Sequence, residues 1–117
     1  MSALDKTVAE LEAKRARDDA ERRARQEAAG VFLKDFFDTD LSPSTSLKDH
    51  GVQAAFDGKR ILLTKPEEGV YAEGMMIVIG EQGEIDVSGR SLGPVYVKDK
   101  DIRKKELIAE IISHFSL

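Results

Sequence analysis

Apolar residues are sparse over the first thirty positions and then arrive together. From Ala3 to Ala29 there is neither Gly nor Pro, and Ala, Glu, Arg, Lys and Leu dominate. These are the strongest helix formers, so the pattern predicts a long helix. Leu4, Val8 and Leu11 open an apolar stripe at i, i+4 and i+7, and alanines continue it: Ala9, Ala13, Ala16, Ala20, Ala24, Ala28, then Val31. The steps average about 3.67 residues, nearer an eleven-residue period than a heptad, so a strongly left-handed coiled coil is not implied. Four acid–base pairs stand at the favourable i,i+4 spacing: Glu10–Lys14, Asp18–Arg22, Asp19–Arg23 and Glu21–Arg25. Each is worth roughly 0.2–0.5 kcal/mol to an exposed helix. Alanine buries little surface, so a dimer held by the stripe alone would be weak.

Gly30 is expected to interrupt this helix. Beyond it, Phe32/Phe36 and Leu33/Phe37 are i,i+4 pairs in Val31–Phe37, a face dense enough in large apolar groups to be where the helix meets a core. Ser42-Pro43 should end it, because proline disfavours helix in the residue before it. The polar stretch Asp38–Asp49 faintly echoes a calcium loop. It has Pro43 where the sharp turn needs Gly and Asp49 where a bidentate Glu belongs, so a plain loop is the better reading.

Val52–Phe56 and Lys59–Leu63 flank Asp57-Gly58, a hairpin signal. Pairing Phe56 with Lys59 places Val52, Ala54, Phe56, Ile61 and Leu63 on one face, and Gln53, Ala55, Arg60 and Leu62 on the other. Pro66–Gly69 reads as a turn. A second hairpin follows, with Val70–Ile79 rising, Gly80–Gly83 turning and Glu84–Ser88 returning, and Gly74 marks a bulge or bend. Met75–Ile79 does not alternate, so both faces of that strand want cover. Gly89–Pro94 reads as loop and Val95–Val97 as a short edge strand. Asp99 or Asp101 can cap a closing helix over residues 100–116, whose stripe is Ile102, Leu107, Ile108, Ile111, Ile112 and Phe115. The expected fold is α+β: a long N-terminal helix, an antiparallel meander of four to five strands, and a C-terminal amphipathic helix packed on the sheet. Residues 1–29 form a charged, solvent-exposed arm, a coiled coil or a partner-docking element, and residues 30–117 a compact domain.

Composition narrows the function classes. The 117 residues carry a formal net charge of −4 and no cysteine. Disulfides, thiolate metal sites and a cysteine nucleophile are thereby excluded. The N-terminus shows no basic flank followed by an apolar run, so a cytoplasmic location is expected. Residues 14–25 hold six bases and three acids, yet residues 1–30 balance at seven and seven. Neither His50 nor His114 belongs to a metal or triad spacing, so no catalytic residue, metal or cofactor is assigned and no enzyme is expected. The reading that follows is a non-catalytic protein-interaction or assembly module, oligomeric or bound to another protein. Its candidate contact face is Leu4, Val8 and Leu11 together with Met76 and Val78 of the apolar strand. The alternative is a small nucleic-acid-associated protein whose candidate anion contacts are Arg15, Arg22 and Arg23 on the helix and Lys98, Arg103 and Lys104 in the Lys98–Lys105 cluster.

Overall fold

A computed structural model describes residues 2–66 and 73–117. The turn expected over 66–69 and the strand start at Val70 lie outside the described residues. The architecture is α+β. Helix α1 (Ala3–Phe36) leads through a π-helical turn (Phe37–Leu41) and a short helix α2 (Thr45–Asp49) into a five-stranded sheet. Its strands are β1 (Gln53–Phe56), β2 (Arg60–Lys65), β3 (Glu73–Ile79), β4 (Glu84–Val87) and β5 (Arg90–Pro94). A 3-10 turn (Val97–Asp99) and helix α3 (Lys100–Phe115) close the chain. The strands pair antiparallel in sequence order, β1-β2-β3-β4-β5.

Helix α1 begins at Ser2, whose hydroxyl accepts from the Asp5 N–H at 3.1 Å, a side-chain N-cap. It then runs unbroken through Gly30. A mid-helix glycine costs about 1 kcal/mol relative to alanine, too little to break a helix whose next turn is pinned by buried Ala29, Phe32, Leu33 and Phe36. The expected interruption is therefore absent. The helix ends where Pro43 requires it, through a wide turn in which the Ser42 N–H donates to the Phe37 carbonyl at 2.8 Å. The Phe37 ring then stacks on Phe56 of β1, with centroids 5.7 Å apart.

Strand faces follow the expected alternation, but the first register differs. Phe56 pairs with Ile61 and Ala54 with Leu63, so the two-residue loop is Gly58-Lys59 rather than Asp57-Gly58. Asp57 is the cause. Its carboxylate accepts from the backbone N–H of Lys59 at 3.0 Å and of Arg60 at 2.9 Å, and from Arg60 Nε at 2.8 Å, an Asx turn that holds Asp57 opposite Arg60. The Lys59 N–H, then the Arg60 guanidinium, hold this carboxyl below its ordinary pKa. Moving the two-residue loop one position along shifts the pairing by two, so parity is kept and no side chain changes face. Ile61, Leu63, Met75, Ile77, Ile85 and Val87 are all buried.

Three other expectations are corrected. Gly74 pairs straight with Thr64, and the irregular step lies between Ile85 and Asp86 of β4. The edge strand is Arg90–Pro94, not Val95–Val97. Ser88 and Gly89, with φ of 49° and 89°, make the tight turn into it, and an edge position tolerates Gly93 and Pro94. Both helices pack on one face of the sheet. Met75 and Ile77 are buried, but Met76 is 38% exposed and Val78 half-buried on the other side. In α3 only Leu107, Ile111 and Phe115 of the apolar stripe reach the core, and Ile102, Ile108 and Ile112 face solvent.

Candidate interaction surface

Hydrogen bonds between α1 and the sheet begin at Arg25. Its Nε donates to the Gln82 carbonyl at 3.2 Å and its Nη2 to Gln82 Oε1 at 3.0 Å. Gln26 Nε2 donates to the Glu81 carbonyl at 2.9 Å. The turn between β3 and β4 can come this close because of Gly83. Its φ is +77°, and a Cβ there would lie 2.6 Å from the Arg25 Cβ and 2.7 Å from its carbonyl carbon. The GxxG spacing at Gly80–Gly83 is thus a hairpin turn that seats a helix.

Ahead of this seat α1 projects. Residues 2–21 are all exposed. At about 1.5 Å per residue, the stretch from Ala3 to Ala24 is roughly 33 Å long. The Cα radius of gyration is 18.9 Å and the principal extents are 69 × 32 × 20 Å, whereas a compact chain of this length has a radius near 13 Å.

The arm has two faces, not one stripe. At about 100° per residue, Leu4, Val8 and Leu11 fall on the side that, further along, carries the buried Ala29 and Leu33. The alanines from Ala9 to Ala28 fall on the opposite side with Val31, which is 56% exposed. Leu4 is 73% exposed, and Val8 and Leu11 are also open to solvent. The four i,i+4 ion pairs expected along the arm are not formed. Arg22 Nη2 bonds Asp19 Oδ1 instead, at 2.8 Å, and Arg25 is turned to Gln82. Exposed pairs are held weakly enough for such choices to matter little.

The remaining candidate residues do not converge. Met76 and Val78 lie on the outer face of the sheet, with exposed Leu62 and Ala55 beside them, a patch well short of the arm in extent. Arg15, Arg23 and Lys98 are exposed. Arg103 is largely enclosed. Its Nε donates to the Pro94 carbonyl at 3.0 Å and its Nη1 bonds Glu106 Oε1 at 2.6 Å, tying the end of β5 to α3. Lys104 Nζ sits 2.9 Å from Asp40 Oδ2, tying α3 to the π-helical turn. Sequence reasoning did not find these internal roles, because β5 and the wide turn that supply the partners were themselves unread.

A groove of about 350 Å³ lies between α2 and α3, floored by Leu41, Leu47 and Ile111 and edged by Ile108, Ile112 and His50. The His50 Nδ1–H donates to the Ser46 carbonyl at 2.8 Å. Among the described residues no group of three or more His, Asp or Glu side chains could hold a metal ion. No helix there is long and apolar enough to cross a membrane. Comparison with protein-family models, with curated proteins and with solved structures finds no match.

Proposed function

We propose that this protein is a non-catalytic interaction or assembly module in which α1 is the contact element. The observation that carries the reading is the arm. A helix of 34 residues is seated at its C-terminal end, while Ser2–Glu21 meet solvent all round with Leu4, Val8 and Leu11 uncovered. Exposed leucines on such a helix gain free energy only when something covers them. The absence of cysteine supports a cytoplasmic setting. The nucleic-acid alternative has less support. Arg103 and Lys104 are engaged inside the fold, and the exposed bases of the arm alternate with acids rather than forming one positive face.

The test is site-specific photocrosslinking of the full chain in living cells. A photoreactive residue replacing Val8 should give adducts of discrete mass. The same residue at exposed Ser42 should not. Equal, diffuse labelling from both positions would remove the Leu4, Val8 and Leu11 face as a contact surface.

A further inference from the structure

We infer that the partner of the arm is a second copy of this chain, bound antiparallel along the outer face of α1. This rests on the proposed role of the arm as a contact element and names the partner of its alanine face, the side opposite Leu4, Val8 and Leu11. The face is free. Ala24, Ala28 and Val31 are exposed on the side of α1 turned away from the sheet, so the alanine face stays open to solvent as far as Val31.

Charge complementarity points to a second copy lying antiparallel. Two pairs flank the alanine stripe, Glu12 with Arg23 on one side and Lys14 with Glu21 on the other. In an antiparallel pair the same flank of each helix meets across the seam. A two-fold axis between Arg17 and Asp18 brings residue i opposite residue 35 − i by simple reversal of the sequence. Glu12 then faces Arg23 of the second copy, and Lys14 faces its Glu21. Symmetry makes each contact occur twice. At the axis Arg17 comes opposite Asp18 by the same reversal and lies next to the second copy's Arg17, and Glu21 of the second copy, about one turn away on the same flank, offsets that repulsion. A parallel pair would bring opposite flanks together instead, so Glu12 and Arg23 would not meet and exchanging their signs would not restore binding.

The alanines agree with the same axis independently. Ala13 falls between Ala20 and Ala24 of the second copy, Ala9 between its Ala24 and Ala28, and Ala24 between its Ala9 and Ala13. Each knob meets a hole made by small residues, which lets the two backbones approach closely. The overlap, residues 4 to 31, is about 42 Å long and about 10 Å wide. That buries on the order of 400 Å² per copy, half of what an ordinary stable interface buries. The dimer is accordingly weak and strongly dependent on its flanking charges.

The experiment is sedimentation velocity on the full chain across protein concentration, at low salt and near 0.5 M salt, where exposed charges are screened beyond roughly 4–5 Å. The expected result is a reversible dimer that dissociates as salt rises. Glu12→Arg and Arg23→Glu should each raise the dissociation constant about tenfold or more, since each sets like charges together twice. The double variant E12R/R23E should return it to within about threefold of the parent, because the pairs re-form with signs exchanged. Glu12 and Arg23 are exposed, Arg23 bordering the groove beside Gly58, Lys59 and Arg60, and unchanged circular dichroism will show that folding is intact. A chain that stays monomeric, or a double variant no better than the singles, overturns the inference. If the chain is monomeric while Val8 still crosslinks to other proteins, the second copy is the wrong partner and the arm remains a contact element. Val8 lies on the side of α1 opposite the alanines, so its failure to crosslink would remove the leucine face alone and leave the dimer to the sedimentation result.

Discussion

A methyl group on Gly83 would strike the backbone of Arg25 while forcing a left-handed φ on a residue that disfavours it. Gly58 has a similar positive φ but nothing within 4 Å of the position a Cβ would take. The two glycines therefore separate conformational cost from contact cost. Gly58→Ala should lower stability by about 1–2 kcal/mol. Gly83→Ala should lose that and the seat of α1 as well, and its melting temperature should fall by roughly 10 °C or more. Equal shifts in a thermal melt would mean that the turn does not anchor the helix. The same scale shows why the first register was misread. Asp-Gly was taken as the loop itself, on its usual turn preference, while the Asp57 carboxylate bridges the Lys59 and Arg60 N–H groups and moves the loop one residue along. Faces survived because parity did. A side chain's choice of backbone partner is a three-dimensional fact that alternation does not carry.

Among the elements, those defined by periodicity were legible and those defined by punctuation were not. The Phe32–Phe37 face, the Ile61/Leu63 strand and the Leu107–Phe115 helix follow directly from spacing. Gly30 reads as a break and Gly89 as the start of a loop, though the first is carried by its neighbours and the second, with Ser88, makes the tightest kind of hairpin turn. The exposed half of the α3 stripe could not be anticipated, since only packing decides which flank of a broad apolar stripe meets the sheet. Of the candidate surface, the polar arm was visible in composition. Its division into two faces is visible in helical angles once the helix is known to be continuous. That continuity has a test. A Cβ on Gly30 would meet only Ile79 Cδ1, at 3.9 Å, so Gly30→Ala should stabilise the protein by about 0.5–1 kcal/mol in a denaturant titration. A loss of stability would mean that the chain needs a bend there.

For the molecule as a whole, shape is the distinguishing property. A rigid arm gives the monomer a radius of gyration near 18.9 Å, against about 13 Å for a globular chain of the same length. Small-angle X-ray scattering at high salt, where the monomer prevails, should therefore give an extended distance distribution with a long tail. A bell-shaped curve with a radius near the compact value would mean the arm folds back onto the body.

The seat of α1 also sets a schedule for synthesis. Every strand pairs with its neighbour in the chain, so the sheet closes through small loops as it appears. The helix is different. Arg25 finds Gln82 only 57 residues later. At ordinary elongation rates of about 5–20 residues per second, that is roughly 3–11 s of translation. For most of that interval Phe32, Leu33 and Phe36 have only a growing part of the sheet to cover them. The soluble, highly charged arm made just before them keeps the nascent chain in water until their cover arrives.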